Sequence, residues 1–347
     1  MATATALYVA VAFFPLDRTL KLEKHSWSPA TVKGAVRLGV EIASYERAAV
    51  AFEELTQVSI SKSTLQRLVK EAGQIVVEAQ EAEALAMVRV PKEEEAVQWR
   101  KVPEPDSEVM AVSSDGVMVN VREEGWKEVK TVAISAVTPE VDEETGEFKV
   151  CLSRHSYRAG LWEAKTFTNH HWAEAYRRGL EKAKTIVCVS DGAAWIWAMV
   201  FLCFSTRIEV LDWWHAVERL WTIAGATLEP VNARSWVRSA KGWLIQSRLR
   251  YLFRQIRRLC PREHGLPDEV QTAVGYLFRN RRRMDYERYR QLGLPIGSGT
   301  VESACKTVVQ ARMKQAGMRW SRSGAQSMLA LRCLLLSDRW DEFPSPP

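Results

Sequence analysis

Thr185-Ile186-Val187-Cys188-Val189-Ser190-Asp191-Gly192 is a continuous, mostly apolar run that ends on a carboxylate and a glycine. Such a run fits a strand buried on both faces. It places Asp191 at the strand's C-terminal end, where open α/β sheets hold ligands. Upstream, Val109–Val121 has the alternating and apolar stretches of a strand and carries Asp115 within Ser113-Ser114-Asp115-Gly116. Lys127–Val137 reads as a second strand and Phe148–Leu152 as the start of a third, with the acidic turn around Asp142-Glu143-Glu144 between them. A helix over Thr168–Ala183 precedes the opening run. A buried helix over Ala193–Phe204 and a strand over Arg207–Leu211 follow it.

Three strands in meander, then helix, strand, helix, strand, is the order of a ribonuclease-H-like α/β fold, a mixed sheet with helices on both faces. The expected division is an N-terminal segment 1–27, a helix-turn-helix domain 28–73, a charged linker 74–108 and a catalytic core 109–222. A helical insertion rich in Arg and aromatic residues, 223–294, comes next. The segment 295–347 adds the last catalytic helix and a C-terminal helix that completes the core.

The 347 residues carry a net charge of +6, with 47% apolar content. A basic chain with a sizeable core suggests a polyanionic partner. The apolar stretch Ala6–Phe14 lacks a basic leader, and Ala193–Phe204 is too short for a membrane span, so nucleic acid is favoured over a membrane. Six scattered cysteines without metal-site spacing read as reduced thiols, and a cytoplasmic location is expected.

Before the linker, Ser28-Pro29 opens one helix, Ser44 a second, and Ser61 or Ser63 a third that is expected to stop at Gly73. The outward positions of the third are Lys62, Thr64, Gln66, Arg67 and Lys70, side chains suited to phosphates and base edges. The pattern is that of a helix-turn-helix, and equally of a three-helix bundle with a polar face.

An Asp at the tip of an apolar strand costs desolvation unless it is paired or metal-bound. Asp115 and Asp191 together suggest a shared hard cation, Mg²⁺ or Mn²⁺, with two ions per site in a phosphoryl-transfer centre. Glu302 follows the glycine-rich loop Ile296-Gly297-Ser298-Gly299, with Ser298 or Thr300 as helix cap. It can join them, or pair with Lys306 one turn on.

Three further stretches carry a family resemblance: Asp212-Trp213-Trp214-His215, Gly297–Lys306, and Met318-Arg319-Trp320-Ser321 with Gly324-Ala325-Gln326. They resemble bacterial insertion-sequence transposases of the Kra type, related in architecture to the Mutator and hAT transposases. The resemblance implies a DDE transposase with Asp115, Asp191 and Glu302 as the triad. Asp212 and His215 match its D-x-x-H signature, as a pair orienting the site or with Asp212 as the second metal ligand. It implies double-stranded DNA as partner, at both element ends and target, and a homodimer or higher oligomer on that DNA. The long segment before Glu302 resembles a helical insertion. Arg254, Arg257, Arg258, Arg281 and Arg282 there, with Arg312 and Arg319 beyond, are candidate DNA-binding residues. Relatives of this type are expected to begin earlier, with a cysteine-rich segment, so the resemblance implies a shortened N-terminus. The alternatives are a transposase-derived DNA-binding regulator without catalysis, and a ribonuclease-H-like nuclease or resolvase.

Overall fold

The computed structural model describes residues 27–88, 102–141, 148–260 and 265–344. The segment 1–26, most of the second half of the expected linker and the acidic turn after Val141 lie outside the described residues. Among those described, no helix is long and apolar enough to cross a membrane.

A single five-stranded sheet organises the chain, in the order β3-β2-β1-β4-β5. Strands β1 (Val109–Val121), β2 (Gly125–Val141) and β3 (Phe148–Gly160) form an antiparallel meander. Strands β4 (Thr185–Ser190) and β5 (Ile208–Leu211) add to β1 in parallel. β3 runs eight residues further than its sequence suggests. A register shift between Ile134 and Ala136, with Arg154 at φ +48°, marks a bulge that breaks its two-residue alternation.

Side-chain parity along β1 assigns the faces. Met110 and Val112 point into a core with α4 (Ala164–Arg177) and α5 (Ala194–Cys203), through Phe167, Ile196 and Val200. The odd-numbered residues face the other side, where two cores share the sheet. Ala111, with Val187, Val189 and Val210, packs under α6 (Trp213–Thr227), α7 (Pro230–Ile245), α8 (Leu249–Leu259), α9 (Asp268–Asn280) and α10 (Tyr286–Gln291). Val117, Val119 and Val121 pack under α1 (Pro29–Glu41), α2 (Tyr45–Thr56), α3 (Lys62–Val88) and α13 (Arg322–Leu336). Asp115 lies on this face between Ala111 and Val117, at the seam of the two cores. The helices of 223–294 therefore share a core with β4 and β5, and the N-terminal helices share one with the C-terminal helix.

Ser28 and Ser44 cap α1 and α2 as their positions suggest, accepting from the backbone N–H of Thr31 and Arg47. Helix α3 does not stop at Gly73. It continues to Val88, so residues 74–88 are helix and not linker. The buried series Leu65, Leu68, Val69, Ala72, Val76 and Ala84 keeps a helical period straight through the glycine. Gly73 serves close packing: a Cβ there would lie 2.5 Å from Ser327 Cβ and 2.7 Å from the Ser327 carbonyl oxygen of α13. Its small size suggests a helix end in the sequence, whereas the backbone of a second helix is what requires it.

The block around Trp320 is a packing device. Trp320 donates its backbone N–H to Asn120 and accepts from Arg122, which adds a bridge to the end of β1. Ser321 caps α13 by accepting from Gly324, and Gln326 accepts the Leu161 N–H at 2.9 Å. Gly73→Ala is expected to force α3 and α13 apart and destabilise the protein by about 1–3 kcal/mol. A urea titration reads this, and an unchanged midpoint would refute the close-packing role.

Candidate functional site

The sheet's two central strands bring the first carboxylates together. Ser114 and Ser190, the residues before Asp115 and Asp191, meet across β1 and β4, where the Ser114 N–H donates to Ser190 Oγ at 3.5 Å. Asp115 accepts from its neighbour's backbone, Gly116 N, at 2.7 Å, and from the Cys305 thiol at 3.6 Å. Burial pushes the Asp115 carboxyl above the usual carboxylate range, and the charge of Asp191 pushes it further the same way. Cys305 is held neutral beside it, its thiol pushed up to about 12 by burial and then by Asp115. Asp191 leaves β4 into a turn, where it accepts the Ala193 N–H at 3.0 Å. Gly192 there has φ +88°, and Tyr276 of α9 donates its hydroxyl to the Asp191 carbonyl. A Cβ on Gly192 would meet Leu211 and Tyr276 at 2.9 Å.

Asp212 extends the ladder one residue past β5, donating its N–H to the Ser190 carbonyl at 2.9 Å. Its side chain is fully buried. One oxygen caps α6 by accepting the His215 N–H at 2.8 Å. The other accepts the Ser298 N–H at 2.5 Å and the Ser298 hydroxyl at 2.9 Å. The Trp213 N–H also donates to the Ile296 carbonyl at 2.9 Å. These bonds hold the glycine-rich loop against the tip of β5. Ser298 precedes α11 (Gly299–Ala304), but its hydroxyl is spent on Asp212 and no side chain caps that helix.

The loop delivers Glu302 on α11. Ligating atoms of Asp212, His215 and Glu302 lie within 4.8 Å of one another. His215 also acts on the charge of Asp115, and Glu302 on the Cys305 thiol, so all five residues share one electrostatic site. His215 Nδ1 lies 3.5 Å from Glu218, on the outer side of α6. No ion pair joins Glu302 to Lys306 among the described residues. After α11 the helix passes through a π-helical turn, Cys305–Gln310, and ends in α12 (Ala311–Met313).

The donor set fits a hard divalent cation. Asp115 and Asp191 repel each other with no Lys or Arg side chain among the causes that shift Asp115, and carboxylate oxygen with one imidazole is a ligand set for such ions. The compact Asp212–His215–Glu302 group competes with the Asp115–Asp191–Glu302 reading. Among the described residues only the former brings three ligating atoms within 4.8 Å of one another, although its Asp212 already accepts three hydrogen bonds and is fully buried. Ser298, Tyr276 and Cys305 are site components that sequence reasoning did not assign. Only the Gly-Ser-Gly spacing hinted at the first.

Of the expected DNA-binding residues, Lys62, Gln66, Arg67 and Lys70 are exposed on α3, and Thr64 is half-buried and bonded to Ser61. Arg67 pairs with Glu71 at 3.1 Å. Arg254, Arg257, Arg258, Arg281, Arg282 and Arg319 are exposed. Arg312 is not a surface cation. It is buried, donates twice to the Gly39 carbonyl at 3.2 Å and stacks between Tyr45 and Trp320. The helical phase after the π-turn directs it inward.

The chain belongs to the Uncharacterised protein family (UPF0236), whose model matches residues 10–230. That span contains Asp115, Asp191, Asp212 and His215 and ends before Glu302. No curated protein matches the chain. Among solved structures, the Drosophila P element transposase strand transfer complex aligns over 94% of this chain and 82% of that one, at 8% identity and a TM-score of 0.30. A superposition that loose leaves the description of the fold to the strand order itself.

Two outcomes test the division of labour among the carboxylates. Asp212→Ala leaves the buried Ser298 N–H and the α6 cap unpaired and should cost about 2–4 kcal/mol. Asp191→Ala removes one local bond and should cost about 1 kcal/mol or less. Equal losses in chemical denaturation would overturn the distinction. The second outcome concerns Asp115. With its folded value raised above the ordinary 3.8, ionisation works against the fold as pH rises past that value. Asp115→Asn should therefore raise the melting temperature at pH 7 in chelator, and the gain should vanish below about pH 3.8. Mg²⁺ should stabilise the wild type but not the variant. A variant less stable at pH 7 would contradict this account.

Proposed function

We propose that the chain is a DNA transposase of the DDE type. What supports the reading is that Asp115 feels the charges of Asp191 and His215, that Cys305 feels those of Asp115 and Glu302, and that Glu302 groups with Asp212 and His215. The strand order and directions fit a ribonuclease-H-like plan, and the Gly297–Lys306 and Asp212–His215 stretches fit the Kra-type resemblance.

Asp115, Asp191 and Glu302 would hold two Mg²⁺ or Mn²⁺ ions. When bound, such ions neutralise charge on the scissile phosphate and favour an in-line displacement. The protein's own contribution is positioning. Asp115 and Asp191 are set side by side by the Ser114–Ser190 bond, with Tyr276 steadying the turn after Asp191. Asp212 keeps the Glu302 loop docked and orients α6, on which His215 lies beside the site. Cys305 stays a thiol and gives Asp115 a weak donor on the side away from bulk solvent. The exposed cations of α3 would take DNA, and joining two element ends would require a dimer or larger assembly.

The test is to incubate the purified protein with DNA from both flanks of its gene and Mg²⁺ or Mn²⁺. Cutting at a fixed boundary and joined products are expected. Asp115→Ala, Asp191→Ala and Glu302→Ala should each reduce cutting by more than about 100-fold, beyond the loss typical of an outer-shell partner, while DNA binding persists. Full cutting by all three variants would sink the assignment. Cutting without joined products would make it a nuclease, and binding without cutting a regulator.

A further inference from the structure

At the outer edge of the sheet, a cleft of about 860 Å³ opens beside the beginning of β5. Arg207, Arg279, Arg281, Arg282, Arg283 and Arg288 line it. The 3₁₀ turn Arg281–Arg283 links α9 to the α10 region and contributes three of them. Glu209 is the one carboxylate in the lining, and both its oxygens are taken: Arg207 Nε lies 2.9 Å from one and Arg283 Nε 2.5 Å from the other. Arg279, Arg281, Arg282 and Arg288 are exposed and have no carboxylate partner among the described residues.

The turn that gathers these charges is built rather than loose. Asn280 is buried, donates to the Tyr276 carbonyl at 3.1 Å and accepts from Arg283 at 3.1 Å. Tyr289 is buried and donates its hydroxyl to the Glu209 carbonyl at 3.1 Å. Arg281 donates to the Phe278 carbonyl at 2.8 Å and lies 4.2 Å over that ring. Holding four uncompensated guanidinium groups around one concavity costs self-repulsion, which an anion of matching extent relieves. Arginine forks suit phosphate oxygens in particular.

The chemistry of the lining narrows the ligand. Apart from the occupied Glu209, its charged side chains are all arginine donors, with no free carboxylate or amide to read cytosine, adenine or a sugar hydroxyl. A row of phosphates, met without base recognition, fits that set. The position narrows it further. β5 runs from this cleft towards Asp212, and five residues at about 3.3 Å each separate Arg207 from Asp212 by roughly 16 Å. At about 3.4 Å per base pair that is about five base pairs of duplex.

We propose that this cleft is a backbone clamp for duplex DNA, gripping the phosphates of one strand about five base pairs from the bond held at the carboxylates, without reading sequence. The distance to the cut rests on the proposed strand cutting; the clamp itself does not. It is separate from the carboxylate site, because it lies at the opposite end of β5.

The experiment uses the full chain and a duplex of about 30 base pairs of arbitrary sequence, roughly three helical turns. The binding constant is followed against salt concentration by anisotropy. For the Arg279→Gln/Arg282→Gln/Arg288→Gln triple variant, the slope of log K on log salt should fall by about 2–3, near 0.9 for each phosphate no longer neutralised. The corresponding triple Lys variant should retain most of the slope. If the triple Gln variant fails to fold, each single substitution should still lower the slope by about 0.9. An unchanged slope in the folded variants overturns the clamp. So does a loss of pyrophosphate binding alone, with duplex binding unaltered, because the cleft would then serve a small free phosphate. A lowered slope in a protein that never cuts DNA supports the clamp and sinks the strand-cutting reading. Cutting with an unchanged slope does the reverse.

Discussion

The carboxylate of Asp212 is the constraint on which the site depends. It ends the edge strand, caps α6 and takes two hydrogen bonds from Ser298, 86 residues later in the chain. Without that acceptor, the loop before α11 keeps the Trp213–Ile296 backbone bond but loses both bonds made by Ser298, the residue next to α11. A buried carboxylate is costly unless satisfied, and here both oxygens are satisfied by groups that must themselves be paired. The three elements therefore fix one another: strand end, helix start and glycine loop.

The same logic holds the opposite side of α11. Two buried arginines reach the last carbonyls of α1: Arg312 to Gly39, and Arg332 to Val40 at 2.8 Å. Arg332 also donates to Val308 at 2.7 Å and to Thr307, carbonyls of the π-helical turn. Burial pulls its guanidinium down to about 10, still charged at neutral pH. Carbonyls at a helix C-terminus carry partial negative charge, so they accept a buried cation without needing a second buried ion. The consequence is that the N-terminal helices are tied through side chains to the segment that bears Glu302. An α3 face carrying DNA would be mechanically continuous with the carboxylate site.

Much of the sheet is legible in the sequence because its strands differ in burial. β4 is mostly apolar, and β1 mixes alternating and apolar stretches, so Asp115 falls within a strand and Asp191 at a strand's end from the letters alone. β3 reads short because its second half, Ser153–Arg158, is polar. Arg158 is buried there only because Glu83 and Glu174 meet it at 2.6 and 3.3 Å, and partners that distant in sequence leave no periodic trace. Gly73 misleads for a related reason. A glycine that admits a neighbouring backbone looks like one that ends a helix, and only the position of Ser327 separates the two. Arg312 is misplaced by its letters because a surface cation and a buried one share a sequence context until the helical phase is known.

The position of Asp115 explains why the carboxylates, rather than the strands, are the harder part to interpret. Beyond the buried Ser113 on one side and directly on the other, its face of β1 is apolar, with Ala111 under one helical core and Val117 under another. A polar residue between them would be an error in a single continuous core. Here it lies where the cores under the two sets of helices meet. The glycine loop, the start of α6 and the turn after β4 meet there, joined by hydrogen bonds and by packing of Leu294, Ile296 and Trp213 on the core under α6. Burial still raises the Asp115 carboxyl there, so charges at the seam act on one another through a medium drier than bulk water.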